Sequence, residues 1–222
     1  MVVLLGAVGI WSWMAKPWEG WYMPAQAEQT KSGLHIARFD RVLDEYVSLG
    51  SYTALHQMNT EYPRQTKLLI EDVLKLGKVD DPDIEKHLRY FYLDSTVQVL
   101  LDEVHHQYSD LSDIERSLQT RLEQLKKRYP NYHRPAVYAQ ISCLNQSVVV
   151  ADTLIGISLD KYLGADFSIY QQYYSEEQCQ EMVRSAIVDD VIAAYEKYLI
   201  DDYERLLRIQ VERSGEPIPY SR

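Results

Sequence analysis

Ala136-Val-Tyr-Ala-Gln-Ile-Ser142, Ser147-Val-Val-Val-Ala-Asp152 and Leu154-Ile-Gly-Ile-Ser-Leu159 are short and rich in β-branched and aromatic residues. Turn residues at Asn145 and Asp152 separate them, and the pattern predicts three strands. The links are too short for helical crossovers, so the expected arrangement is an antiparallel sheet. Everything around this block has helical spacing. The predicted fold class is therefore α+β, predominantly helical, with a small antiparallel sheet of about three strands near residues 136–160.

Working toward the N terminus, Ser112 and Glu115 form a capping-box pattern. Ile114, Leu118, Leu122, Leu125 and Tyr129 then recur every three or four residues until Pro130 stops the helix. Val97, Leu100, Leu101, Val104 and Tyr108 mark another helix, and Ile84, Leu88 and Phe91 another. Leu68, Leu69, Val73 and Leu76 predict a helix over 64–76 with Gly77 as its C-cap. Tyr52 to Asn59 reads as helix too, and Phe39, Leu43, Tyr46 and Val47 form a stripe that ends at Gly50. Toward the C terminus, Ser175 with Gln178 suggests a second capping box, opening a helix over 175–199. Its pattern breaks near Asp201-Asp202 and resumes to Val211.

The net charge is −10, an acidic balance that repels phosphate backbones and argues against nucleic acid as a partner. Tyrosine is unusually frequent, at 18 against 3 Phe, which suits half-buried positions with a wet hydroxyl. The two cysteines, Cys143 and Cys179, exclude a disulfide-dense scaffold. They are either two core thiols or one bridge, which would close a long loop and stabilise by ~3–4 kcal/mol.

Val2 to Met14 is an uncharged apolar run of thirteen residues. As a helix it spans ~20 Å, short of the ~30 Å hydrocarbon core of a bilayer. It has the length of a signal-peptide core, and Ala25-Gln26-Ala27 resembles a cleavage site. Trp11, Trp13, Trp18, Trp21 and Tyr22 equally suit an uncleaved anchor at a membrane interface. Both readings divide the chain into a signal-like or membrane-anchor segment, 1–27, and a single α+β domain, 28–222. Both place that domain in the cell envelope, on the periplasmic side, anchored or exported.

Chemistry-bearing motifs are sparse. Phosphate-binding glycine loops, a nucleophile elbow and H-E-x-x-H are all missing from the sequence. Asp102 and His106 share a helix face at i, i+4 and form the best metal-ligand pair, with no third partner in view. Asp189 is notable as a carboxylate among Ala186, Ile187, Val188, Val191 and Ile192. No cofactor is expected.

Gln146-Ser-Val-Val-Val-Ala-Asp-Thr-Leu-Ile-Gly-Ile-Ser-Leu-Asp-Lys-Tyr-Leu-Gly-Ala-Asp166 resembles the central block of the gliding-motility lipoprotein GldB family. Ile157-Ser-Leu-Asp-Lys-Tyr-Leu-Gly164, with Asp166 and Tyr170, carries the resemblance most specifically. Ile36-Ala-Arg-Phe-Asp40, Tyr129-Pro130 and Pro135-Ala-Val-Tyr138 agree with it, and the likeness covers roughly 36–200. The resemblance implies a membrane-attached envelope protein linked to gliding motility and the associated secretion machinery. It also implies a zincin-like core in which the helix after the sheet carries the active site. Two departures stand out. The N-terminal region has no cysteine for lipid attachment, and the chain stops at Arg222 where the resemblance implies a longer domain, so the expectation is either a truncated chain or a short variant.

At the position where a zincin needs two imidazoles, this chain reads Ile187-Val-Asp-Asp-Val-Ile-Ala-Ala-Tyr195. The expectation is a pseudo-metallopeptidase: a non-catalytic protein that binds envelope partners and meets the membrane through its N-terminal segment. The alternative is a metal-dependent hydrolase with an unrecognised site. Within the block, Asp160 either fixes the turn after the last strand or rims, with Tyr162, a binding cleft beside Asp189; Asp166 belongs to the same candidate set.

Overall fold

The structure, a computed structural model, describes residues 33–130 and 132–214, with side chains to 205. The apolar run, the aromatic cluster and Ala25-Gln26-Ala27 lie outside the described residues. Helix α1 (Phe39–Leu49) buries Phe39, Leu43, Tyr46 and Val47, the stripe expected from their spacing. It ends at Gly50, whose left-handed backbone (φ 67°) lets its N–H reach the carbonyl of Tyr46. Ser51 caps α2 (Tyr52–Thr60) through the Ala54 N–H.

The helix expected over 64–76 is shorter. α3 (Pro63–Lys67) widens into a π-type segment, Leu68–Val73, and the left-handed residue that follows is Lys75 (φ 55°). The helical turns therefore end before Gly77 is reached. Asp94 caps α5 (Ser95–Gln107), which follows α4 (Ile84–Tyr92). α6 (Ser112–Arg128) buries Ile114, Leu118, Leu122 and Leu125 as expected. Its predicted capping box does not form. Ser112 is the first helical residue and turns to Asp110 at 2.7 Å, while the Glu115 carboxylate accepts the Ile36 N–H at 2.8 Å.

The fold class is α+β and predominantly helical, with two corrections to the sheet. It has four strands in the order β1-β2-β4-β3, and it is mixed rather than antiparallel. β1 (Ile36–Ala37) is a two-residue strand that reads in sequence as the start of a helix. It pairs in parallel with β2 (Ala136–Gln140). β3 (Val148–Ala151) and β4 (Leu154–Ser158) form the antiparallel hairpin expected of their two-residue link. The chain direction does reverse at each short link. But β3 goes to the edge, so β4 returns between it and β2 and lies parallel to β2. Gly156 sits opposite Tyr138 in that pairing; a Cβ there would lie 2.6 Å from the phenol ring.

Beyond the sheet come α7 (Tyr170–Tyr173) and α8 (Glu176–Glu181), the latter closed by the predicted Ser175–Gln178 capping box. The single helix expected from 175 is interrupted at Met182–Val183, not at Asp201-Asp202. α9 (Ile187–Ser214) then runs without a break. The capping box satisfies only the first turn of α8, whereas α9 buries Ile187, Val191, Ile192 and Tyr195 in its first turns. α1 packs on β2, while α9 packs on β3, β4 and α6. The sheet thus lies between helical layers, and the segments that leave β2 and β4 carry Ile141, Ser142, Asp160 and Tyr162 into buried positions.

Candidate functional site

The segment after β2 turns back through two left-handed residues, Cys143 (φ 52°) and Leu144 (φ 66°), neither of them glycine. Such a backbone persists only where its surroundings hold it. Asp160 holds it. Completely buried in a 3₁₀ turn, Leu159–Lys161, its carboxylate accepts the Ser142 N–H at 2.8 Å and the Leu144 N–H at 2.6 Å. Burial pushes this carboxyl above the ordinary range, and the two amides and the Lys161 charge pull it back. The Ser142 hydroxyl donates to the Gln146 carbonyl at 3.0 Å and completes the loop.

Tyrosines brace the same segment from several elements. Tyr92 of α4 donates to the Ile141 carbonyl at 2.7 Å, and Tyr108 to the Tyr162 carbonyl at 2.5 Å. Tyr170 donates to the Asp160 carbonyl at 2.5 Å and accepts the Leu163 N–H at 2.9 Å. Tyr174 donates to the Leu144 carbonyl at 3.0 Å, while the Lys161 ammonium lies 4.3 Å from its ring centre. Burial raises the Tyr92, Tyr108, Tyr162 and Tyr170 phenols well above their usual range, so they remain neutral donors. Tyr62, Tyr129, Tyr132, Tyr174 and Tyr198 are half-buried, as the tyrosine excess suggested, whereas Tyr92, Tyr108, Tyr138, Tyr162 and Tyr170 are fully buried. A buried phenol is tolerated because its hydroxyl finds a carbonyl; Tyr138 is the exception and has no partner for it among the described residues.

The predicted site residues do not converge. Tyr162 is buried and its hydroxyl donates to Asp190 at 2.8 Å, not to Asp189. Asp189 is exposed and pairs with Arg121 of α6 at 3.0 Å. It lines a groove of about 890 Å³ between α6 and α9 whose walls include neither Asp160 nor Tyr162. Asp166 is exposed on the loop before α7. Asp102 and His106 are both exposed on α5, and no cluster of three or more His, Cys, Asp or Glu side chains that could hold a metal ion occurs among the described residues. The stretch 187–195 of α9 offers Asp189 and Asp190 but no imidazole, and both carboxylates are already engaged. That donor set does not fit a three-ligand zinc centre.

Cys143 and Cys179 are free thiols. Burial pushes the Cys143 thiol up, which makes it a poor nucleophile. Sequence reasoning missed Ser142, Tyr92 and Tyr108 and met Tyr170 only as part of the family block; the abundance of tyrosine was the available signal.

A family comparison matches residues 23–208 to gliding motility protein GldB. The chain belongs to the GldB family. The family label, GldB_lipo, denotes a lipoprotein and so suggests the cell envelope. No curated protein and no solved structure matches the chain. The block Ile157–Tyr170, on which the resemblance rested, is the part of this GldB-family chain that clamps the loop at 142–144. No helix among the described residues is long and apolar enough to cross a membrane.

Proposed function

We propose that this GldB-family chain is a non-catalytic protein of the cell envelope. Its role is binding or assembly linked to gliding motility and the associated secretion machinery. The apolar run Val2–Met14 is its route to the membrane, and the remaining domain works on the periplasmic side. The observation that carries this reading is the engagement of the carboxylates. Asp160 is committed to the Ser142 and Leu144 amides, Asp190 to Tyr162 and Asp189 to Arg121. A general acid or base must keep an oxygen aimed at its substrate; the buried Asp160 spends both oxygens on the loop, while Asp190 commits one to a phenol and the exposed Asp189 one to a helix pair.

Elemental analysis of the purified full chain, after incubation with zinc and removal of the free ion, tests this reading. A metal content far below one ion per chain, with no peptide hydrolysis, is the expected result. Stoichiometric zinc with peptidase activity would establish the metal-dependent hydrolase instead.

A further inference from the structure

The negative charge of this chain is unevenly spread. From Arg121 to Arg134, the end of α6 and its link to β2, five Lys or Arg stand against one carboxylate, Glu123. The local balance is +4 in a chain whose total is −10. Arg121 and Arg128 are spent on α9, paired with Asp189 and Glu196. Lys126, Lys127 and Arg134 are exposed and have no ion pair among the described residues, and His133 beside them is exposed too. Positive charge in the last turn of a helix complements its dipole, which accounts for Lys126 and Lys127. It does not account for Arg134, which lies beyond the helix. The link is pinned: the Tyr132 hydroxyl donates to the Leu122 carbonyl at 3.0 Å, and the Tyr195 hydroxyl to the His133 carbonyl at 2.8 Å. We propose that this basic edge rests on the anionic headgroups of a membrane and so orients the domain on the bilayer.

Two observations select a lipid surface as the partner. The first is where the chain enters the fold. The Ile36 N–H is held by Glu115 and the Leu34 N–H by Gln119, so going back from β1 the backbone follows α6 toward its C-terminal end. The parallel register sets Ile36 against Val137, and continued back it brings Gly33 level with Arg134. The described chain therefore begins at the basic edge, and a tether to the membrane would leave from there. The second is charge complementarity. Repulsion between the rest of this acidic chain and a bilayer is screened beyond about 10 Å, so the charges that touch the surface decide the contact. A Lys or Arg near an anionic leaflet strengthens binding about fivefold. The acidic neighbour at this end of the sheet, Asp152 in the β3–β4 turn, is held by Arg64 at 3.2 Å. The inference deepens the envelope role proposed above and rests on it, but it uses none of the carboxylates that carry that reading.

The full chain, confirmed monomeric by sedimentation, is titrated with vesicles of phosphatidylcholine alone and with vesicles that are one-third phosphatidylglycerol. The ratio of the two affinities isolates the basic edge, because an apolar segment inserts into both alike. The expected ratio is well above unity and falls as salt rises. Lys126→Gln, Lys127→Gln and Arg134→Gln each lower it about fivefold with unchanged melting. Lys86→Gln on α4, an exposed lysine elsewhere on the molecule, leaves it unchanged. Equal affinity for the two vesicles would overturn the proposal and leave the apolar run as the route to the membrane. A ratio that the three edge variants do not move would overturn it too, as would anionic binding that millimolar inorganic phosphate removes at fixed ionic strength. Binding to the anionic vesicles alone would support the edge and contradict the run as the route.

Discussion

Asp160 and Gly156 show how little freedom single positions have at the centre of this molecule. Asn in place of Asp160 keeps the shape but turns an N–H₂ toward one of the two backbone amides that the carboxylate accepts. Leaving a buried amide unpaired costs about 1–3 kcal/mol, so Asp160→Asn should lower the melting temperature by several degrees. If Asp160 instead served a binding cleft, melting would stay put while partner capture was lost. Gly156→Ala places a methyl within 2.6 Å of the fully buried Tyr138 phenol, whose ring lies against Phe39 at 6.0 Å, so one of the two groups must shift. Overpacking of this kind costs about 1–3 kcal/mol, measurable by denaturant unfolding. A neutral outcome would mean that Tyr138 rearranges freely.

At the scale of elements, α6 is the test of helix phase. Leu122 is 1% exposed, and Leu122→Ala should cost about 2–5 kcal/mol through lost burial and the cavity left behind. α6 is tied to the start of α9 by Arg184, which donates to both Asp113 oxygens at 2.6 and 3.0 Å and to the Asp110 carbonyl at 2.8 Å. Its guanidinium also lies 4.7 Å from the Tyr108 ring centre. Arg184 holds the Asp113 carboxyl below the usual aspartate range. A carboxyl depressed in the folded state stabilises above its unfolded pKa and loses that contribution as pH falls through the folded value. Asp113→Asn should therefore melt below the parent at neutral pH, and the gap should close as the pH drops below about 4. A gap that is constant with pH would show that the pair contributes nothing electrostatically. These elements also mark what the sequence disclosed. The buried stripes of α1 and α6 were legible because one face of each meets a continuous core, which imposes a 3–4 spacing. The order of the strands was not, because local pattern fixes where the chain reverses and not which strand ends at the edge. The false capping box at Ser112 fails for a related reason: Glu115 has a better partner 79 positions away in sequence, in the Ile36 N–H.

For the whole molecule, the family name suggests a protein of the cell envelope, and the engaged carboxylates support the non-catalytic role proposed above. The Asp160 clamp was only partly visible beforehand. Its block stood out by resemblance, but a carboxylate that binds backbone amides 16 and 18 positions earlier leaves no local motif. If the domain is exported, residues 28–222 should resist protease in intact cells and become accessible once the outer barrier is opened; full-length chain in the soluble cytoplasmic fraction would contradict export. The central claim, assembly without metal chemistry, is tested most directly by capture from solubilised envelope membranes with the full chain as bait, with and without a chelator. The account predicts that components of the gliding or secretion machinery are retained equally well in both. Capture that disappears with the chelator and returns with added zinc would contradict it.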